Sequence, residues 1–236
     1  EALDLDLLRF AHARLPNPNA EAWIKKVEMF SAVTEMAREV LGPGALALPF
    51  GSSANGCGEV SSDLDVVLYS PKDLVPGRKK GDDSVYRERR KKHIRRILSG
   101  IHFKTARKHR LVQEEARLYA RIPIVALLSR DRSVSCDVSY KNYVPLFNSR
   151  LILAYTELEP RLPLMVLFVK RIAKTVGMGS TPEGFISSYS WTLMTIYYLQ
   201  VCHGLPSLHK LALHGPEPQL DPDRTFFTDF ATNATR

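Results

Sequence analysis

Apolar residues recur along this chain with two different spacings, and these spacings predict where its helices and strands lie. Between residues 21 and 40, Trp23, Val27, Phe30, Val33 and Met36 recur at helical spacing and predict an amphipathic helix. The sequence GPGA at 42–45 ends this helix, because glycine and proline are poor at continuing one. A shorter helix is predicted over 5–13.

Short apolar segments in the middle of the chain predict β-strands, because each is apolar but too brief for a helix. They are LALPFGS (46–52), SDLDVVLYS (62–70), RIPIVALLS (121–129) and SVSCDVSY (133–140). Among them we expect a loop over 71–83, an amphipathic helix over 85–101 and a short helix near 111–120. The region from about 45 to 140 is therefore predicted to be mixed α/β.

From residue 149 onward the pattern is that of long apolar helices, predicted over 149–157, 162–176 and 187–202. We therefore expect N-terminal helices over 1–30 that pack on the helical domain, a mixed domain over 31–145, and the helical domain itself over 146–236. A ligand is expected in the cleft between the two larger domains, since such boundaries are common binding sites.

The composition is ordinary, but the charge is unevenly distributed. The 236 residues are 44% hydrophobic and 25% charged, as in typical globular proteins. The net charge is +8, and residues 78–110 alone contain 14 Lys and Arg residues against three Asp and Glu residues. Such a basic segment indicates a polyanionic partner. The alternative is a solvated helix face without a partner, and the charge alone does not decide between them.

Membrane and disulfide classes are disfavoured by the sequence. No apolar run reaches the roughly 18 residues of a membrane span, so no membrane association is expected. The three cysteines, Cys57, Cys136 and Cys202, are far apart and odd in number, which argues for a reducing, intracellular compartment. The chain begins with Glu1 rather than Met, so the lack of a targeting segment proves little.

Aspartates at strand positions are the main clue to chemistry, because aspartate is depleted in strands. Asp63 and Asp65 are two apart and point the same way, and Asp137 lies in a later strand. Three convergent carboxylates suit Mg²⁺, which prefers hard oxygen ligands. About ten residues before the first pair, Gly51 lets the backbone approach a phosphate and Ser52 adds a hydroxyl. A turn followed by a solvent-facing edge strand would explain the Asp-x-Asp pair alone, but it explains the combination less well.

This combination resembles the signature of the DNA polymerase β nucleotidyltransferase superfamily. FGSSANGCGEVSSDLDVVL (50–68) contains the apolar residue, the Gly-Ser pair, the spacer and Asp-x-Asp, and IPIVALL followed by CDVSY is similar to the third-carboxylate region. In the second half, NSRLILAYTELEPRLPLMVLFVKRIAKTVGM and GFISSYSWTLMTIYYLQ resemble the terminal uridylyltransferases and the related template-independent poly(A) polymerases. The short interval between the second and third aspartates is most similar to the small kinetoplastid uridylyltransferases.

The resemblance implies an α+β, bilobal fold: a polymerase β-like mixed sheet with helices, a mainly helical second domain, and a nucleotide cleft between them. It also implies template-independent transfer of UMP from UTP to the 3′-hydroxyl of RNA, with release of pyrophosphate. Asp63, Asp65 and Asp137 match the catalytic residues, and by resemblance they would hold two Mg²⁺ or Mn²⁺ ions during catalysis.

The same resemblance assigns nucleotide contacts to residues of both halves. The matching residues are Gly51, Ser52, Asn148, Ser149, Lys170, Lys174, Ser188 and Tyr189. In the family pattern, the two lysines contact the β- and γ-phosphates, the Ser-Tyr pair contacts the triphosphate and the base, and the Asn-Ser pair contacts the ribose. Without the resemblance, lysines on an apolar helix and an aromatic residue near a helix start would be ordinary structural residues.

Adenylyl transfer on the same scaffold, an RNA-binding pseudoenzyme and nucleotidyl transfer to a small molecule are the alternatives. No identifiable residue of this chain determines the choice of base, because the resemblance places base-selecting residues beyond Arg236. RNA is the expected acceptor, with segment 78–110 on its backbone. A monomer is favoured, and the resemblance suggests a larger RNA-processing or RNA-editing complex. A mitochondrial location follows from the kinetoplastid resemblance alone.

Overall fold

The structure, a computed structural model, describes residues 20–71, 83–178 and 184–213 of the chain. The predicted helix over 5–13 and most of the predicted loop over 71–83 lie outside the described residues. Within them, the chain forms a sheet lobe over 20–140 and then a helical lobe over 144–213.

In the described residues, the sheet lobe contains five strands and two long helices. They are α1 (Ala20–Leu41), β1 (Leu46–Phe50), β2 (Leu64–Tyr69), α2 (Asp83–Gly100), β3 (Val112–Arg117), β4 (Ile124–Leu128) and β5 (Ser135–Tyr140), with a π-helical turn over Ile101–Thr105 after α2. All of these except β3 and the π-helical turn lie close to where the sequence predicts them.

The strands form one mixed sheet in the order β1-β2-β5-β4-β3. The neighbours β2 and β5 run parallel, and the other neighbouring pairs are antiparallel. Phe50 at the end of β1 pairs with Asp65 of β2, and Asp65 pairs in turn with Asp137 of β5. The register therefore brings the end of β1 and two of the predicted catalytic aspartates into one row across the sheet.

The two faces of the sheet have different partners. Val66 of β2 and Val138 of β5 are buried in one hydrophobic cluster with α1 and with Leu98 of α2. Side chains alternate along a strand, so Asp65 and Asp137, the neighbours of these valines, point away from that cluster. The basic helix α2 consequently covers the face opposite the aspartates.

The segment 111–120 contains a strand and not the short helix that its sequence predicts, so that prediction was wrong. β3 (Val112–Arg117) pairs with β4 and forms an edge of the sheet. Its Gln, Glu, Ala and Arg residues have high helix propensity, which is why the local sequence is misleading. The ladder of hydrogen bonds to β4 overrides this preference, and an edge strand can keep polar side chains in solvent.

The helical lobe contains, in the described residues, α3 (Val144–Leu158), α4 (Leu162–Thr175), α5 (Ser188–His203) and α6 (Leu208–Leu213). A second hydrophobic cluster holds these helices together and includes Leu162, Val166, Ile196 and Leu199. The cluster also includes Cys57, which belongs to the loop between β1 and β2. That loop thus inserts a side chain into the core of the other lobe.

These elements confirm the predicted α+β, bilobal architecture. The domain limits expected at residues 30 and 145 stay a prediction. Among the described helices, none has the length and the apolar character that crossing a membrane would require.

Candidate active site between the lobes

A cleft of about 670 Å³ lies between the two lobes, within the range of ~300–1,000 Å³ that is common for small-molecule sites. Ten of the eleven predicted site residues line it: Gly51, Ser52, Asp63, Asp65, Asn148, Ser149, Lys170, Lys174, Ser188 and Tyr189. The eleventh, Asp137, does not line the cleft, although it is the sheet partner of Asp65. The fold thus brings together residues that are more than 130 positions apart in the sequence, from Gly51 to Tyr189.

Asp65 lies where an ionised carboxylate is unfavourable. Burial, together with the negative charges of Asp137 and Asp63, raises its pKa to about 7, while the nearby charge of Lys26 opposes this shift. Burial also raises the pKa of Asp137, against the effect of the Arg117 charge. The three carboxylates are therefore close enough to repel one another, and a divalent cation would relieve this repulsion.

Asp63 is exposed and lies immediately before β2, at the end of the loop that follows β1. Over 20–71, 83–178 and 184–213, no group of three or more His, Cys, Asp or Glu side chains is already arranged to hold a metal ion. Among the described residues, the three aspartates are thus neighbours rather than a closed ligand set. Their hard oxygen donors fit Mg²⁺ or Mn²⁺ in chemical type.

The turn after β1 requires glycine and connects the sheet to α3. Gly51 has a φ of +71°, and a Cβ atom there would overlap the carboxylate of Asp65. Its N–H donates a hydrogen bond to Ser149 Oγ at 2.8 Å, and that hydroxyl donates to the Pro145 carbonyl at 2.7 Å. Since the buried Ser149 hydroxyl is used within the protein, the ribose contact predicted for the Asn-Ser pair is more accessible to Asn148, which also lines the cleft.

Lys26 of α1 is a neighbour of the site that the sequence analysis missed. Its side chain is buried, and Nζ donates a hydrogen bond to Ser53 Oγ at 3.0 Å. Ser53 Oγ donates in turn to the carbonyl oxygen of Asp63 at 2.8 Å. Burial lowers the pKa of Lys26 to about 8, against the charges of Asp63 and Asp65. The available signal was its position one turn before the buried Phe30, on the apolar face of α1.

Helix α4 brings cations to the cleft from the helical lobe. Lys170 is partly buried, its Nζ donates to the carbonyl oxygen of Cys57 at 3.1 Å, and burial lowers its pKa. Lys174, one turn later, is exposed and also lines the cleft. Beside them, Arg171 forms an ion pair with Glu59 at 2.7 Å. Helix α4 therefore offers two cations to a ligand and contacts the loop between β1 and β2 twice.

Helix α5 begins at the cleft. Its cap is Ser187, whose Oγ accepts a hydrogen bond from the Ser190 N–H at 3.1 Å. The next two residues, Ser188 and Tyr189, line the cleft, and Tyr189 is 39% exposed. The helix start thus offers backbone N–H groups, a hydroxyl and an aromatic ring to a ligand that carries negative charge.

Comparison with known proteins identifies relatives across most of the chain. Residues 10–157 match the family described as "Poly(A) RNA polymerase, mitochondrial-like, central palm domain". "Caffeine-induced protein 16" of Schizosaccharomyces pombe is 33% identical over 178 residues, which are 74% of this chain and 13% of that protein. "Poly(A) RNA polymerase GLD2" of Mus musculus is 31% identical over 192 residues, 80% of this chain and 38% of that protein. "Terminal uridylyltransferase 7" of Homo sapiens is 32% identical over 161 residues, 67% of this chain and 10% of that protein.

Solved structures of related RNA nucleotidyltransferases also resemble this chain. The structure of mtPAP in complex with ATPγS superimposes with a TM-score of 0.62 at 25% identity, covering 78% of this chain and 40% of that one. The structure of Cid1, described by its RNA terminal uridylyl transferase activity, has a TM-score of 0.59 at 25% identity and covers 83% and 54%. These likenesses confirm the polymerase β-like nucleotidyltransferase fold. This chain spans less than two fifths of the length of the S. pombe, mouse and human relatives named in the preceding paragraph.

Proposed function

The chain belongs to the family of mitochondrial-like poly(A) RNA polymerase central palm domains, and from this premise we propose that it transfers UMP from UTP to the 3′-hydroxyl of RNA. The transfer is template-independent and metal-dependent and releases pyrophosphate. The observation that carries the proposal is the cross-strand pair of Asp65 and Asp137, which lies beside a nucleotide-sized cleft with cations on its opposite wall.

Asp63, Asp65 and Asp137 would hold Mg²⁺ or Mn²⁺, two ions during catalysis. When bound, such ions neutralise the charge that develops on the attacking and leaving oxygens. Asp137 lies on the far side of Asp65 from β1 and outside the cleft lining, which supports an approach of the RNA 3′-hydroxyl from that side. Its carboxylate is then the group of this chain best situated to accept the proton of that hydroxyl.

Residues of the helical lobe would bind the nucleotide. Lys170 and Lys174 would form charge-assisted contacts with the β- and γ-phosphates, and Ser188 would add a donor beside the N–H groups of α5. The partly exposed ring of Tyr189 would stack on the base, a type of contact that contributes ~1–3 kcal/mol. Asn148 would contact the ribose. The fact that all five side chains line one cleft supports these roles.

Uridine is the proposed base, and adenine is the second candidate, because both uridylyl and adenylyl transferases are among the relatives. Stacking on Tyr189 does not discriminate, since every base has a stacking face. An RNA-binding pseudoenzyme is less well supported, because the aspartates, lysines and Ser-Tyr pair of an active enzyme are all present.

The body of the RNA is proposed to bind the basic surface of α2. Exposed cations on this helix are Arg89, Arg90, Lys91, Lys92 and Arg96. Because α2 covers the sheet face opposite the aspartates, it would contact phosphates upstream of the 3′ end, and binding should weaken steeply with salt. Residues 78–82 of the basic segment lie outside the described residues. A mitochondrial location and a role in an RNA-processing or editing complex stay predictions.

An extension assay tests the proposal directly. The purified chain is incubated with labelled single-stranded RNA and one nucleoside triphosphate at a time, with Mg²⁺, with Mn²⁺ or with EDTA. Elongation with UTP that stops in EDTA is the expected result, whereas elongation with ATP alone would replace uridylyl by adenylyl transfer. RNA binding without elongation by any of the four nucleotides would overturn both and favour the pseudoenzyme.

A further inference from the structure

Lys26 is a buried cation that does not line the cleft and yet lies directly behind its aspartates. The side chain is only 6% exposed. Its ammonium group donates to Ser53 Oγ at 3.0 Å, and the Ser53 hydroxyl donates to the carbonyl oxygen of Asp63 at 2.8 Å. Two consecutive hydrogen bonds thus connect the interior of α1 to the first residue of the Asp-x-Asp motif.

A buried lysine at this position is costly for the fold. Burial lowers the pKa of Lys26 by more than the charges of Asp63 and Asp65 raise it, so the buried ammonium group is disfavoured. An apolar side chain would fill the same place on α1, next to Phe30, without that cost. The adjacent Lys25 is different, because it lies at the surface and pairs with exposed acidic side chains. Stability alone therefore does not account for the buried cation.

We propose that Lys26 is a positioning residue, which through Ser53 holds the loop ending at Asp63 in the conformation that a divalent cation and a triphosphate require. This inference rests on the proposed function, since it assumes that the aspartates bind a metal. The charge of Lys26 gives the hydrogen bond to Ser53 more strength and direction than a neutral donor would provide. The loop it holds also carries Ser52 and Glu59, which line the cleft.

The test compares four variants of the full chain. Lys26→Met removes the donor but fills the buried space, Ser53→Ala removes the link to Asp63, and a double variant combines them. Lys25→Met is the matched control, because it makes the same change one residue away at the surface. Each variant is measured for elongation kinetics, for Mn²⁺ affinity without nucleotide, and for the free energy of unfolding in urea.

We expect kcat and Mn²⁺ affinity to fall by about tenfold or more in Lys26→Met and in Ser53→Ala, with the KM for RNA changed by less than about twofold. The double variant should be no worse than Lys26→Met, because the two residues act through one another. The free energy of unfolding of Lys26→Met should equal or exceed that of the parent. Lys25→Met should match the parent in kcat and Mn²⁺ affinity.

Each of the remaining outcomes would overturn one part of the proposal: the role of Lys26, the route through Ser53, or the proposed function. Parent-like kcat and Mn²⁺ affinity in Lys26→Met, or losses that follow a loss of folding free energy, would make the lysine purely structural. Additive losses, or a normal Ser53→Ala variant, would overturn the route through Ser53. A parent chain without transferase activity would remove the proposed function instead, and Mn²⁺ affinity then decides the role of Lys26: weaker binding than in Lys25→Met supports it, and equal binding overturns it.

Discussion

At the scale of single residues, we expect the Asp65 carboxylate to be required for the proposed activity and to lower the stability of the fold. Its carboxylate is disfavoured by burial and by Asp137 and Asp63, so removing the charge should relieve the fold. In EDTA we expect Asp65→Asn to be at least as stable as the parent. Its elongation rate with Mg²⁺ should fall about a thousandfold, a loss of roughly 4 kcal/mol in transition-state stabilisation.

Urea denaturation and an elongation assay measure the two effects of this change separately. The control is Glu28→Gln, which removes a carboxylate from an exposed position on α1 and should alter neither property. An Asp65→Asn variant that elongates RNA near the parent rate would contradict the proposed metal site.

We expect Gly51 to be essential for elongation because a side chain there would overlap Asp65, and this steric effect can be separated from backbone strain. Gly51→Ala places a methyl group against the carboxylate of Asp65 at a positive φ, whereas Gly177→Ala meets the same backbone strain, at φ +76°, in open space. Both changes should cost roughly 1–2 kcal/mol of stability for the left-handed conformation. Only Gly51→Ala should abolish elongation, as measured at equal folded concentrations. Comparable activity in the two variants would mean that the cleft tolerates the methyl group.

Lys26 predicts a pH dependence of stability with a definite sign. Its pKa is lowered from 10.5 to about 8 in the folded protein, against the charges of Asp63 and Asp65. Between these values the unfolded chain binds the proton and the folded protein does not, so the free energy of unfolding rises with pH by up to about 3 kcal/mol. Below about pH 8 the cost of the buried charge is fully present.

The measurement is the difference in unfolding free energy between the parent and Lys26→Met at pH 7.5 and at pH 10, both by urea denaturation. Titrating groups that do not interact with Lys26 cancel in this difference, whereas the pKa of Asp65 rises further without Lys26 and changes the difference in the same direction. The parent should gain stability relative to the variant as the pH rises. A constant difference would show that Lys26 keeps its ordinary pKa.

The residues of the site differ in how far the sequence could predict them. Gly51, Ser52 and the Asp-x-Asp pair belong to one short motif, whose local pattern is informative on its own. Lys26 was missed because its meaning depends on Ser53, 27 positions away, and no local pattern encodes that contact.

At the scale of elements, two adjacent serines at the start of α5 have different surroundings and are expected to have different roles. Ser187 caps the helix, so Ser187→Ala should cost about 1 kcal/mol of stability with little change in the KM for nucleotide. Ser188 lines the cleft and is exposed, so Ser188→Ala should raise that KM by about tenfold with little change in stability. Thermal unfolding measures the stability of the two variants, and steady-state kinetics measures their KM for nucleotide. A cap effect in Ser188→Ala, or a KM effect in Ser187→Ala, would reverse the assignment.

At this scale, an element is predictable from sequence when its own apolar pattern stabilises it, and it is not when a distant partner does. α1 and the helices of the second lobe have an apolar stripe or a long apolar run, and β2 and β5 are short buried segments. The pattern of apolar residues was therefore sufficient to predict these elements. β3 has a polar composition with high helix propensity, and it is a strand only because β4 pairs with it. The sequence also could not tell which serine of ISSYS caps α5, since several neighbouring serines are equally suited to the position.

At the scale of the whole molecule, the loop between β1 and β2 joins the two lobes. Cys57 is buried in the helical-lobe cluster, its carbonyl accepts a hydrogen bond from Lys170, and Glu59 pairs with Arg171. These contacts span more than 110 positions in the sequence, which is why the pattern of apolar residues gave no indication of them. Because the loop also lines the cleft, a nucleotide held there would contact both lobes.

Because each lobe has its own hydrophobic cluster, we expect the lobes to separate without global unfolding, and the cysteines can report this separation. Cys57 lies in the helical-lobe cluster and Cys136 in the sheet-lobe cluster, while Cys202 is exposed. Burial raises the pKa of Cys57 to about 12 and also raises the pKa of Cys136, so each thiol reacts only after its surroundings open. We therefore expect lobe separation to expose Cys57 but not Cys136 and to uncover less surface than global unfolding, which Cys136 requires.

Pulse labelling with iodoacetamide, read by peptide mass spectrometry, measures these openings. We expect Cys202 to react at once, Cys57 to react faster than Cys136, and the Cys57 rate to depend less on urea, because less surface is exposed. Mg²⁺ and UTP at 100 times Kd should slow Cys57 labelling by about a hundredfold, since a ligand that binds only the closed form stabilises it by about 2.7 kcal/mol. Identical rates and urea slopes for Cys57 and Cys136 would mean that the lobes open only by global unfolding. A Cys57 rate that ignores the nucleotide would mean that the ligand does not bridge them.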